Sequence, residues 1–384
     1  MNDWKKYNQL KIDGEIYTRE DLLVKAGEYL RDNMQCGDRE KDKACLVSAS
    51  QNTTNLYLIS FWNFIKDWLD LNSESIHQKT SGSTGTPKNI SLKKQFMVNS
   101  AKKTIDFFKL KKDQNALLCL STDFVGGKMM IVRSFVAGLN LILTEPKSNP
   151  LKYFVSESKF IHFCAMVPSQ LYATIDDPNF SKIKKLIIGG APIRGDFIPK
   201  LKDFSCQIFA TYGMTETVSH IALKQLNQNQ TPAYFEVLPN VTIDLDDRSC
   251  LRINAPSVCE EIIQTNDIVK INDETKFEWL GRYDNVINSG GYKIQVESLE
   301  EKISQILKCQ IYLSSKKDDK FGERLVLVLD ENAQKITKEI DMINVLKDQL
   351  NKYQIPKSTL YCKSYPLSEN GKIKRKVLRE IVGE

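Results

Sequence analysis

Between residues 115 and 213 short apolar runs alternate with stretches of helical spacing, and this alternation constrains the fold more than any other feature of the chain. Ala116–Leu120, Leu139–Leu143, Ala165–Val167, Leu186–Ile188 and Ile208–Tyr212 have the length and near-continuous apolarity of strands buried on both faces. Lys128–Val136, Pro168–Ile175 and Ile193–Leu201 have helical length and spacing, two of them opened by a proline near the first turn. Strand–helix–strand repetition predicts an α/β fold, a parallel sheet with helices on its faces. Residues 234–280 then become strand-rich with polar alternation, as in a β-rich subdomain. A boundary is expected near Gly281-Arg-Tyr-Asp284. Beyond it Val296, Leu299, Ile303 and Ile306 share one helical face, Leu325–Leu329 reads as a strand and Ile340–Leu350 as an amphipathic helix. The expected organisation is a large N-terminal domain over 1–283 and a small α+β domain over 284–384.

Several function classes are excluded by what the chain lacks. No run approaches the roughly 18 apolar residues of a membrane span, and the start, MNDWKKYNQLKIDGE, has no apolar segment of a secretory signal. The nine cysteines stand singly with no CxxC pair, which suits reduced thiols in a cytoplasm rather than a disulfide framework or zinc site. The net charge of +6 comes from 54 basic and 48 acidic residues that alternate along the chain. Without a basic cluster interleaved with aromatics it predicts solubility and attraction of anionic small molecules, not nucleic-acid binding.

The sharpest local signal is the run Thr80, Ser81, Gly82, Ser83, Thr84, Gly85, Thr86, Pro87, Lys88. Glycines let successive backbone N–H groups point into one concavity, hydroxyls add donors and Lys88 adds a mobile positive charge, so the segment suits a polyphosphate. The GxxxxGK[ST] spacing of a Walker A loop is absent. A second signal, Tyr212-Gly213-Met214-Thr215-Glu216-Thr217, follows a predicted strand directly, where ligands of a parallel sheet sit. Glu216 there could hold Mg²⁺, which prefers carboxylate and phosphate oxygens. Gly189, Gly190, Ala191 and Pro192 end the preceding strand and would admit a flat base against the backbone. At the domain boundary Asp267, in Thr265-Asn-Asp267, could accept ribose hydroxyls, and Arg282 could neutralise a phosphate. Near the C-terminus Ser368-Glu-Asn-Gly-Lys372 is a turn that presents Lys372. Each of these alone also has a plainer reading, as a surface loop, a tight turn or a solvated surface group.

Taken in order, these motifs, with Gly290-Gly291-Tyr292-Lys293 among them, resemble the acyl-adenylate-forming enzymes: acyl-CoA synthetases, peptide-synthetase adenylation domains and luciferases. The resemblance runs from about residue 78 to the end. It implies a ligase that uses ATP and Mg²⁺ to adenylate a carboxylic acid and passes the acyl group to CoA. In that reading Thr80–Lys88 would cover the β- and γ-phosphates, Glu216 would hold Mg²⁺ beside Thr215, and Gly189–Pro192 with Tyr212 and Gly213 would take the adenine. Asp267 would hold the ribose and Lys372 would bridge phosphate and acyl oxygens. Asp284 would be a hinge, and Gly290, Gly291, Tyr292 and Lys293 would receive CoA. Phe124-Val-Gly-Gly-Lys-Met-Met-Ile-Val-Arg133 and Tyr212–His220 resemble the o-succinylbenzoate–CoA ligase branch. That acid carries a second carboxylate, for which Lys128 is the candidate partner with Arg133 and His220 behind it; Phe124 and Met214 would wall the ring. The chain departs from the family pattern in three places. Only 79 residues precede the phosphate loop, so the first N-terminal subdomain looks trimmed; Asn266 replaces a glycine; and Phe124 stands where many relatives have histidine. A stand-alone adenylation domain that loads a carrier-protein thiol, an aryl- or acyl-CoA synthetase for another acid, a non-catalytic adenylate binder and a P-loop NTPase are the competing readings.

Overall fold

The computed structural model describes residues 3–37, 49–79, 89–152, 154, 160–227, 234–319, 322–337, 342–368 and 371–383. The phosphate-loop candidates Thr80–Lys88 lie outside the described residues. The chain opens with a hairpin of β1 (Leu10–Ile12) and β2 (Glu15–Tyr17), then helices α1 (Arg19–Gly37) and α2 (Ala49–Leu69). A separate antiparallel pair follows, β3 (Ser75–Lys79) and β4 (Asn89–Lys93). Next come α3 (Lys94–Phe108), β5 (Asn115–Leu118), α4 (Val125–Ala137), β6 (Asn140–Leu143), β7 (Phe163–Met166), α5 (Pro168–Thr174), β8 (Lys185–Ile188) and β9 (Gln207–Gly213). The β-rich run supplies β10 (His220–Gln225), β11 (Phe235–Val237), β12 (Thr242–Leu245), β13 (Cys250–Asn254), β14 (Ile263–Asp273) and β15 (Lys276–Arg282).

Thirteen of these strands form one sheet in the order β12-β13-β14-β15-β11-β10-β9-β8-β7-β5-β6-β1-β2. The predicted strands of the 115–213 region are its parallel centre, with β6, β5, β7, β8 and β9 side by side. Their cores are buried on both faces, as the unbroken apolar runs require: every residue of β7 is buried, as are Leu186–Ile188 of β8. Helices α4 and α5 occupy the expected crossovers. The third, expected over 193–201, is instead a 3-10 helix over Gly195–Asp203 that contains Pro199, whose missing N–H and ring disfavour an α-helical interior. Close packing fixes α4: a Cβ on Gly127 would fall 2.3 Å from the Ser121 carbonyl oxygen, so no larger residue fits without a backbone shift. The sheet changes character at β9, which pairs parallel with β8 and antiparallel with β10.

A second sheet carries β16 (Ile287–Ser289), β17 (Tyr292–Ile294), β18 (Tyr312–Asp318), β19 (Gly322–Asp330) and β20 (Ser358–Cys362). Around it lie α6 (Val296–Leu307), α7 (Glu331–Thr337), α8 (Met342–Lys347) and α9 (Arg375–Val382). Val296, Leu299, Ile303 and Leu307 of α6 are buried against Leu325, Leu327 and Leu329 of β19 in a core of their own. Of the helix expected over 340–350, residues 340 and 341 lie outside the described residues, and the helical part is Met342–Lys347, ending three residues before the expected end. Against the first sheet's region α6 packs on the 3-10 helix: Gly195 lies so close to the Glu301 carbonyl that a Cβ would approach it to 2.4 Å, and Ser304 Oγ donates to Asp196 Oδ1 at 3.2 Å. No helix among the described residues is long and apolar enough to cross a membrane.

Candidate active site

Four of the residues singled out in the sequence share one neighbourhood at the carboxyl end of β9. Asp267 on β14 stands opposite Arg282 on β15 in the strand register. Its carboxylate accepts from Tyr212 Oη at 2.7 Å, Trp279 Nε1 at 3.1 Å and Arg282 Nη1 at 3.5 Å, and its own N–H donates to Thr265 Oγ1 at 3.0 Å. Burial and the Asp267 charge hold the Tyr212 phenol well above its ordinary range, so it stays a donor. The Tyr212 ring is wedged edge-on against Phe277, with Phe235 behind. Trp279 is a clamp that sequence reading missed, because the register that brings it to Asp267 leaves no local signal.

Lys372 reaches the same place from the C-terminal region. Ser368 N–H donates to the Lys372 carbonyl at 2.8 Å, Lys372 N–H donates to Ser368 Oγ at 3.1 Å, and Gly371 turns the chain at φ +74°. A Cβ on Gly371 would contact the Ser169 side chain at the start of α5. Although Lys372 is exposed, crowding and then the Arg282 charge pull its pKa below the ordinary lysine range, with Asp267 acting in the opposite direction. The lysine ammonium therefore lies in the field of the Asp267–Arg282 pair.

The turn after β9 is strained. Val218 has φ +66° and ψ −48°, and Ser219 N–H donates to the Thr217 carbonyl at 2.7 Å, which makes a γ-turn centred on a β-branched residue. Such a conformation costs on the order of 1–3 kcal/mol and persists where surrounding structure fixes it. Here Thr217 Oγ1 bonds the Met214 and Ser219 carbonyls. The result is that Thr215 and Glu216 sit on a one-turn 3-10 helix with the Glu216 carboxylate exposed. Gly213 is required where the chain returns, because its Cβ would meet the Ser219 oxygen at 2.3 Å. On the adjacent strand end Gly190 adopts φ +90°, and Gly189 leaves room for Thr211, whose Oγ1 donates to the Ile188 carbonyl.

The acyl-site candidates divide. Arg133 is 1% exposed; its Nη2 donates to Ser219 Oγ at 3.0 Å, its Nη1 reaches Met130 Sδ, and its Nε has no hydrogen-bond partner among the described residues. Burial pulls its pKa down to about 9, and it forms no ion pair with any described carboxylate. Beside it His220 shares its Nε2 with Thr104 Oγ1 at 3.2 Å, and burial and the Arg133 charge hold it far below the ordinary histidine range, hence neutral. Lys128 is used elsewhere: its ammonium donates to Gln78 Oε1 at 2.6 Å and to the His77 carbonyl at 3.4 Å. Buried Gln78 in turn donates to the Asp123 and Lys79 carbonyls, tying the end of β3 to the Phe124 loop. Phe124 is 43% exposed, and Met214 packs against the aromatic cluster of the β-rich part.

The boundary residues form a compact network. Asp284 takes Arg282 Nη2 at 3.3 Å and Asn266 Nδ2 at 3.1 Å. Gly290 and Gly291 form the two-residue turn between β16 and β17, both at positive φ (+61° and +83°), the conformation a tight hairpin demands. Tyr292 beyond it stacks on Tyr353, and both rings, with Lys293, Lys302 and Lys352, line a cavity of about 460 Å³. No group of three or more His, Cys, Asp or Glu side chains among the described residues could hold a metal ion. A single exposed carboxylate such as Glu216 does fit Mg²⁺ that also binds phosphate oxygens.

Comparison with known proteins places this geometry in context. The AMP-binding enzyme family profile matches residues 28–258, more than half of the chain. A solved acyl-CoA synthetase (AMP-forming)/AMP-acid ligase II-like protein from Dyadobacter fermentans is 31% identical, with a TM-score of 0.56 over 84% of this chain and 93% of that one. The 2-succinylbenzoate–CoA ligase of Lactococcus lactis is 24% identical over 97% of this chain and 80% of its own length. The D-alanine–D-alanyl carrier protein ligase of Staphylococcus aureus is 26% identical over 79% of this chain and 70% of its own. The chain spans only 7% of the length of a linear gramicidin synthase from Brevibacillus parabrevis, to which it is 26% identical over 78% of its own residues.

Proposed function

The chain belongs to the AMP-binding enzyme family, and from that premise we propose that it is an ATP-dependent acid–thiol ligase that adenylates o-succinylbenzoate and transfers the acyl group to CoA. The observation that carries this reading is the convergence of Lys372, Asp267 and Arg282 beside the end of β9. A carboxylate is a poor electrophile, and its attack on an α-phosphate brings two anions together. Fixed cations at that point supply several kcal/mol and alignment supplies more. Lys372 is assigned to the α-phosphate and acyl oxygens, and Arg282 to the neighbouring phosphate. Asp267 offers roughly four acceptor sites, of which three are taken; the fourth, and the one that Arg282 holds at long range, are assigned to ribose hydroxyls. Mg²⁺ bound at Glu216 would neutralise phosphate charge. Gly189–Pro192 are assigned to the adenine and Thr80–Lys88 to the outer phosphates.

Arg133 is the residue that supports this choice of acid. A guanidinium buried without a carboxylate is costly unless an anion meets it, and o-succinylbenzoate brings a carboxylate that is not activated. Arg133, rather than Lys128, is therefore assigned to it, with Ser219 and neutral His220 fixing its position. We place the lobe boundary at Asp284, with 284–384 turning to bring Gly290–Lys293 to the adenylate for thiol attack, and the reaction in a reducing cytoplasm. Likeness to a carrier-protein ligase favours a second reading, in which the acceptor is a carrier-borne thiol. A panel of o-succinylbenzoate, benzoates, D-alanine and fatty acids, assayed with ATP and Mg²⁺ for pyrophosphate release and then with CoA for thioester mass, tests both. Release of pyrophosphate with no CoA ester from any acid would end the CoA reading; a clear preference for D-alanine would favour the carrier.

A further inference from the structure

Glu297, at the start of α6, reaches back across the lobe boundary. Its Oε2 accepts the Arg282 N–H at 3.2 Å, and its Oε1 accepts Asn285 Nδ2 at 2.5 Å and Arg375 Nη2 at 3.5 Å. Its side chain is 9% exposed. Gly281 makes room for it: the backbone there has φ +144°, and a Cβ would lie 2.4 Å from Oε2. Arg375 forks onto both oxygens of buried Glu300 at 2.7 Å and holds the Leu313 carbonyl, so the residue three positions after Lys372 is pinned to the same helix.

These bonds differ in what a rotation about Asp284 would do to them. Asn285, Arg375 and Glu300 all follow Asp284 in the chain and would travel with α6. Arg282 precedes it and would stay. Among the hydrogen bonds of Glu297 to described residues, the one to the Arg282 N–H spans the pivot, and it is made in the arrangement that holds Lys372 near Asp267. We propose that Glu297 is a positioning residue, a latch that biases the C-terminal lobe toward the lysine-in arrangement and so sets the balance between acid activation and thiol transfer. The inference rests on the proposed function and adds to it a residue that touches neither nucleotide, acid nor thiol. A hydrogen bond to a charged acceptor is worth enough to shift such an equilibrium by about tenfold.

The test measures two half-reactions separately with o-succinylbenzoate: ATP–pyrophosphate exchange without thiol, and discharge of preformed acyl-adenylate by CoA. E297A is expected to lower the ratio of exchange to discharge about tenfold, with discharge unchanged or faster. N285A, which removes a bond that moves with α6, is expected to leave the ratio within about twofold of wild type. A ratio unmoved in E297A, or both rates falling together, overturns the latch. If E297A does not reach the wild-type melting profile, E297Q carries the test with an expected loss of about threefold, and an unmoved ratio again overturns it. Failure of the wild type to exchange with any acid would instead overturn the ligase reading.

Discussion

Replacing Arg133 with methionine separates a structural cation from a ligand-binding one. Removing a guanidinium from water costs several kcal/mol even after relaxation. Against this, the fold offers a charge-assisted bond to Ser219 at 3.0 Å, worth about 1.5–3 kcal/mol, and the Phe163 ring 5.9 Å away, worth about 1–2 kcal/mol. The unpartnered Nε adds nothing. The side chain is thus roughly neutral to about 3 kcal/mol unfavourable for folding, and an unbranched methionine fills most of its slot. R133M is expected to raise urea stability by about 0–3 kcal/mol. If an acid's second carboxylate meets Arg133, the same change removes a buried charge pair worth about 2–5 kcal/mol, so KM for o-succinylbenzoate should rise from about 30-fold to several thousandfold while KM for ATP stays put. Urea melts and initial-rate kinetics on one preparation decide the matter. A loss of more than about 3 kcal/mol with an unchanged KM for the acid would refute the reasoning and make Arg133 a structural residue.

Two further outcomes are expected. K372A should lower pyrophosphate exchange by about 10²–10³ without moving the melting curve, because the side chain is exposed; in wild type the exchange rate should be full at low pH and fall as pH rises through a lysine pKa displaced below 10.5, where the ammonium is lost. Lys94, fully buried with its ammonium on the Asp70 carbonyl and over the Trp4 ring, has its pKa lowered to about 8 by burial. Between about pH 8 and 10.5 the unfolded chain then binds more protons than the folded one, so wild-type stability should gain up to about 3 kcal/mol relative to K94M across that window. Parallel curves for the two proteins in pH-stepped urea melts would contradict this.

The sequence was most legible where burial is symmetrical. Strands β5 to β9 are covered on both faces, so their apolar runs are unbroken and their ends, with Gly189 and Tyr212, were placed within a residue or two. The N-terminal hairpin escaped notice, although Asp13 and Gly14, at φ +48° and +99°, carry the Asp-Gly signature of a two-residue turn. Asp267 and Arg282 were readable as a pair of charged residues near a boundary. That they face one another across two strands, with Trp279 and Tyr212 on the same carboxylate, depends on register, which no local pattern encodes. The position of Lys128 after Phe124 says nothing of its bond to Gln78, fifty residues earlier. Glu297 was hidden for the same reason: its partner is a backbone N–H beyond Gly281, which leaves room for the carboxylate.

The strand order β15-β11-β10 has a practical corollary for anyone dissecting the protein. The family profile ends at residue 258, between β13 and β14, yet β11 pairs with β15, whose register begins at Lys276. A fragment stopped at 258 would strip β11 of a neighbour, leave β13 as a raw edge and delete the carboxylate that Tyr212 holds. Shuffling between homologues should therefore splice no earlier than Arg282, because the polypeptide weaves its later hairpins back into the same fabric before the smaller sheet begins.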